Sequence, residues 1–175
     1  LSRDDVKLVP LSVDKHLDAW QRNAFDAVVS YEPVASELLA RGAHKLFDSR
    51  QIPNTIIDVL AMRTDLLDSH ASAIRHLVQS HFKALDHLKR NPQDAAYRMA
   101  NHLKLKAADV LPAFKGLVLP DAANNQRLLA GTTPELLVTA RKLSAIMVKN
   151  QLLKEDDSLN SLIRADFLPT VVQGR

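Results

Sequence analysis

"FDAVVSYEPVASELLARG", residues 25–42, decides how this chain is read. Its first six residues form a compact run with two adjacent valines, Val28 and Val29, the pattern of a strand buried on both faces. Tyr31-Glu32-Pro33 then turns the chain. Pro33 stands at or near the first turn of a helix whose apolar stripe is Val34, Leu38 and Leu39, and Gly42 stops it. Proline at the start and glycine at the end is the usual asymmetry of helix termini. Strand, turn and helix in that order open a βαβ unit.

In a parallel sheet that turn would lie beyond the carboxyl end of the strand, where ligands gather and helix amino termini present unpaired N–H groups. Ser30, Tyr31, Glu32 and Pro33 occupy this position. A tyrosine there can stack on a small ligand or hydrogen-bond to it, and the amides after Pro33 can receive an anion. A plainer account also fits: Glu32 caps the helix, Pro33 starts it and Tyr31 packs locally. Spacing alone favours the plainer account.

Working outward, Val6 to Leu11 is a short strand candidate, and Ser12 can cap a helix through Val13, Leu17 and Trp20. "HKLFDS" (44–49) and "TIIDVLAMR" (55–63) are two further strand candidates, joined by a turn at Ile52-Pro53-Asn54. The alternation predicts an α/β fold with a mainly parallel sheet. After about residue 65 the pattern becomes helical. A helix starting at Ser69 or His70 would bury Ile74, Leu77, Val78, Leu85 and Leu88. Asn91-Pro92 restarts the chain with Asp94 in the new first turn, and another helix covers roughly 107–114. A capping box at Thr132-x-x-Glu135 opens a helix with Leu136, Leu137, Leu143, Ile146 and Met147. "LNSLIRADFLP" (159–169) closes the ordered pattern.

The 175 residues suit one ordinary domain or two small lobes. Composition is globular, with 46% hydrophobic and 25% charged residues. The 23 Lys and Arg are interspersed with 20 acids, and Lys89-Arg90 is the densest basic run, so the clustered basic face that nucleic acid requires is lacking. With no cysteine, disulfides, thiolate metal sites and cysteine nucleophiles are excluded. No apolar run approaches the ~20 residues of a membrane helix. The opening "LSRDDVKLVPLS" carries charges where a signal peptide would be apolar.

Chemistry is hard to find in the residues. His70, His76, His81 and His87 are six, five and six apart, whereas a helix offers two metal ligands on one face at i and i+3 or i+4. Neither G-x-S-x-G, a P-loop nor G-x-G-x-x-G is present. The adjacent carboxylates Asp4-Asp5 and Asp156-Asp157 read as solvated caps rather than an acid/base pair. The expectation is a non-enzyme without metal or cofactor.

A resemblance supplies what the residues do not. "WQRNAFDAVVSYEPVASELLARGAHKLFDS" (20–49) resembles a segment of the extracytoplasmic solute-binding proteins of ABC importers. It is closest to the group handling nitrate, taurine, alkanesulfonates and thiamine-pyrimidine precursors. Asp26-Ala27 and Tyr31-Glu32-Pro33 match the family's Asp-Ala strand and its aromatic-Glu-Pro helix start, with tyrosine where tryptophan is frequent. The stretch 55–103, then "LVLPDAANNQRLL" (117–129) and "LNSLIRADFLP", resemble the return strand, long helices and closing elements.

The resemblance implies a type II periplasmic-binding-protein-like fold. Residues 1–58 would be the end of lobe two, and 59–175 the return strand and carboxyl-terminal helices that pack on lobe one. The opening strands of lobe one have no counterpart. The chain would be a piece of a longer protein, a short chain completed by a second copy or second polypeptide, or a sensor or protein-interaction module derived from a solute-binding protein. The implied mechanism is clamp binding of a small organic anion or heterocycle without chemistry, about a hinge near Asp58 to Arg63, with delivery to a membrane permease. Ser30, Tyr31 and Glu32 would line one wall, while Thr55 and Asp58 sit near the floor. The implied location is periplasmic or otherwise extracytoplasmic. Two enzymes of this fold, a desulfinase and a thiamine-pyrimidine synthase, depend on cysteine, which is absent here.

Overall fold

A computed structural model describes residues 2–155, 159 and 161–170. The Asp156-Asp157 pair lies outside the described residues. Among them the helices are α1 (His16–Gln21), α2 (Val34–Ala40), α3 (Ala71–Arg90), α4 (Pro92–Leu103), α5 (Ala107–Ala113), α6 (Ala122–Leu129) and α7 (Glu135–Lys149). The chain forms two compact units, Leu1–Phe47 with Ala96–Leu117, and Asp48–Ala95 with Val118–Arg175.

In the first unit α1 and α2 pack together and bury Ala19 and Leu38. The expected cap at Ser12 is not made: its side chain bonds no helix amide, and a short 3-10 turn, Val13–Lys15, leads into α1. The α2 helix ends as its sequence predicts, with Gly42 at φ 95° and the Ala43 N–H reaching back to the Leu38 carbonyl at 3.0 Å. Elsewhere in this unit, Ala96 and Ala100 on α4 form a closed core with Val110 on α5, which is 0% exposed. Met99, Leu105, Leu111 and Phe114 pack around it. The two alanines stand four apart, on one face of α4, and their small side chains leave room for the neighbouring helix.

In the second unit α3 buries Ile74 and Leu85, with Val78, Phe82 and Leu88 half-buried beside them. Leu77, expected in this stripe, is 48% exposed. Helices α6 and α7 pack on each other. Asp121 caps α6, its Oδ1 accepting the Asn124 N–H at 2.9 Å. This holds the Asp121 carboxyl below its ordinary pKa.

The capping box predicted at Thr132 is absent. Helix α7 begins at Glu135, with Pro134 in the cap position and no side-chain cap bond. The residue before a proline is pushed out of the α region, so Thr133 cannot start the helix. Glu135 therefore stands too early to reach back to Thr132. Near the end of the chain, Phe167 is buried under two guanidinium groups, Arg75 at 5.1 Å and Arg164 at 5.4 Å from its ring centre. Arg164 donates to both Asp166 oxygens at 2.8 Å and lowers that carboxyl's pKa.

The parallel sheet predicted from the sequence does not form among the described residues. The candidates 6–11 and 55–63 are free of turn or bend, 25–30 is broken by a bend at Asp26 and 44–49 runs into a 3-10 turn at Ser49, and none joins a ladder. A strand takes its backbone hydrogen bonds from a neighbouring strand, so correct apolar spacing cannot supply them alone. Side chains that a sheet would bury stand in solvent instead: Val29 is 95% exposed, Leu46 85% and Ile56 71%.

Candidate functional site

The turn at Tyr31-Glu32-Pro33 is held from below by His16. This residue falls on the same face as Val13 and Trp20 and is buried against the run that leads into the turn. Its Nε2 lies 3.2 Å from the Leu11 carbonyl and its Nδ1 lies 3.2 Å from Ser30 Oγ. A carbonyl only accepts, so Nε2 carries the proton; in the neutral ring Nδ1 then accepts from the Ser30 hydroxyl. Phe25 meets the His16 ring edge-on at 6.5 Å and also contacts Trp20 at 6.1 Å. One imidazole thereby ties together the segment before α1, α1 itself and the start of the turn.

Beyond Ser30 the turn opens to solvent. Tyr31 is 66% exposed, so its ring faces are available. The amides of Ala35 and Ser36 in the first turn of α2 are already engaged. Tyr31 O accepts the Ala35 N–H at 2.9 Å, and Glu32 Oε2 accepts the Ser36 N–H at 3.2 Å. The Glu32 carboxylate sits at the positive end of the helix, where it is stabilised. Pro33 precedes the first helical residue rather than occupying it.

Thr55 and Asp58 belong to the other compact unit. The Thr55 hydroxyl donates to the Pro53 carbonyl at 3.4 Å, and Asp58 is exposed on the run 55–63. In that same unit a shallow groove on α3 is lined by Ser69, His70, Ser72, His76, Leu77 and Ser80. Ser69 Oγ lies 2.8 Å from His70 Nδ1. His87, at the end of α3, faces Asp94 of α4 at 2.6 Å. No group of three His, Cys, Asp or Glu side chains suited to a metal occurs among the described residues.

Sequence reasoning singled out His70, His76, His81 and His87 and passed over His16. The signal was present: a histidine within the Val13–Trp20 apolar stripe is placed to be buried. One of its two partners is not local: Ser30 lies 14 residues away.

With the geometry established, comparison with known proteins gives the family. The profile of the NMT1-like family matches residues 2–104, and the chain belongs to that family. Its members are solute-binding components of ABC importers, in the nitrate, sulfonate and taurine group. They act outside the cytoplasm, pass a small-molecule ligand to an ABC permease and are normally not enzymes. No curated protein and no solved structure matches the chain. No helix among the described residues is long and apolar enough to cross a membrane.

Proposed function

We propose that this chain contributes one wall of a clamp that binds a small organic anion or heterocycle for an ABC-type importer, without chemistry. The observation that carries the reading is the match over residues 2–104, which contains the whole of residues 25–42. On this reading 1–58 is the end of lobe two of a periplasmic-binding-protein-like α/β fold, and 59–175 packs on lobe one. The hinge lies near Asp58 to Arg63, and the protein works in the periplasm or an equivalent compartment.

Tyr31 is the principal contact. Its exposed ring offers a stacking face, and stacking recognises planar solutes whatever their charge. Ser30 is a positioning residue, held by His16; Glu32 and Pro33 shape the turn. Because the Ala35 and Ser36 amides are taken within α2, a planar heterocycle or a planar anion suits the turn better than a tetrahedral one.

The test is a calorimetric titration of the full chain with an aminopyrimidine, nitrate and taurine. Binding of at least one, weakened about tenfold in Tyr31→Ala and retained in Tyr31→Trp, is the expected result. Equal binding by Tyr31→Ala and the parent would remove Tyr31 from the site. A second reading, a sensor or interaction module derived from a solute-binding protein, is favoured by the solvent-exposed apolar runs that no described strand covers.

A further inference from the structure

A serine hydroxyl ordinarily serves either role at a binding turn: it donates one hydrogen bond, accepts two, and rotates to suit its partner. Ser30 does not have that freedom. Its Oγ lies 3.2 Å from His16 Nδ1, while His16 Nε2 lies 3.2 Å from the Leu11 carbonyl. The carbonyl has no proton to give, so the neutral imidazole keeps its single N–H at Nε2 and leaves Nδ1 as an acceptor. The Ser30 proton is therefore committed to Nδ1. The ring is 3% exposed and Phe25 closes on it edge-on, so losing that bond would leave a buried nitrogen unmatched. Ser30 itself is half-buried, and among the described residues His16 is the one partner of its hydroxyl. What the hydroxyl can offer a solute is lone pairs alone. The peptide groups of 27–30 do not alter this, since each brings one donor and one acceptor and favours neither.

We infer that His16 sets the hydrogen-bond polarity of the turn: by holding Ser30 as an acceptor, it makes the turn select planar solutes that donate an N–H over those that only accept. This rests on the reading above, in which Tyr31 stacks on a planar solute, and it narrows that solute to an amino- or amide-bearing ring. His16 is a positioning residue, buried beneath Ser30 and acting through it. A solute that only accepts would set its lone pair against those of Ser30. Otherwise it would pull the hydroxyl round and strip Nδ1 of its partner inside the fold. A site built to bond a polar group of its solute rejects the analogue lacking that group far more strongly than an apolar pocket rejects a missing methylene.

The experiment is calorimetric titration of the full chain with 4-aminopyrimidine and with pyrimidine, which differ in the amino group alone. The proteins are the parent, Ser30→Ala, Ser30→Thr and His16→Leu. The readout is the ratio of the two dissociation constants for each protein, which a uniform loss of folded chain does not move. In the parent, 4-aminopyrimidine is expected to bind at least about tenfold more tightly. Ser30→Thr keeps the hydroxyl and should keep that ratio. Ser30→Ala removes the acceptor, and His16→Leu frees the hydroxyl to point either way. Both are expected to bring the two probes within about threefold of each other. A parent that binds both probes equally, or prefers pyrimidine, overturns the inference, as does a preference that survives Ser30→Ala or His16→Leu. Equal binding that Tyr31→Ala weakens leaves stacking in place and removes only the polarity. Binding of neither probe removes the clamp reading, and the inference with it.

Discussion

Residues 96–114 and residues 55–63 are both rich in apolar side chains, yet one stretch is closed and the other open. In the first, apolar positions recur at helical spacing, so each helix satisfies its own backbone and needs only a neighbouring face, which α4 and α5 supply to each other around Val110. In the second, apolar residues alternate at the period of a strand, and the hydrogen bonds of a strand come from outside the segment. Helical pattern is self-sufficient in a way that strand pattern is not. The same contrast explains why the helical parts of this chain are built from within and its apolar runs stand in solvent.

The comparison predicts a graded response to truncation. The largest effect is expected at Phe167→Ala, which removes a buried ring and its two guanidinium neighbours. A loss of about 3 kcal/mol in urea unfolding is expected. Arg75→Ala, which removes one cation–π contact and a positive charge near Asp166, should cost less than about 1 kcal/mol. A Phe167→Ala loss no greater than that of Arg75→Ala would show that burial of the ring contributes little.

Next comes a matched pair of valines. Val110→Ala should cost about 2 kcal/mol, whereas Val29→Ala, at a position 95% exposed, should fall within about 0.5 kcal/mol of the parent. Equal losses would mean that the run 27–31 is covered in solution and would break the comparison. His16→Leu should cost about 1–2 kcal/mol, because it strips the Leu11 carbonyl and the Ser30 hydroxyl of their partner. If the same variant also weakens solute binding, the imidazole positions the turn as well as stabilising it.

The smallest expected effect is on acid stability. Asp166 titrates below its ordinary value of 3.8, chiefly because Arg164 donates hydrogen bonds to it. A carboxyl with a depressed folded pKa stabilises fully above its unfolded pKa, and that contribution fades as pH falls through the folded one. Asp166→Asn should therefore flatten the decline of stability below pH 3.8, as followed by urea unfolding at several pH values. Asp121, also lowered, leaves a residual slope. An unchanged slope would mean that the Arg164 contact persists in the unfolded chain.

The sequence was informative where structure is local. The Pro33–Gly42 punctuation located α2, the spacing in 70–90 located α3, and Asn91-Pro92 marked the start of α4. What it did not reveal depends on distant partners or on the next residue's backbone. Thr132-x-x-Glu135 had the letters of a capping box, but Pro134 moved the helix start by constraining Thr133. His16 was missed because Ser30 reaches it through the fold. Pairing of the strand candidates was predicted from alternation, which specifies a surface and not its neighbour. Of the site, Tyr31 was legible as an aromatic at a strand-helix turn; the use of the α2 amides by Tyr31 O and Glu32 was not.

Amide hydrogen exchange of the full chain tests the contrast most directly. The account predicts strong protection of 96–103 and 107–113 and fast exchange at 55–62. Protection of 55–62 equal to that of the two helices would show that the run is paired in solution and contradict the account.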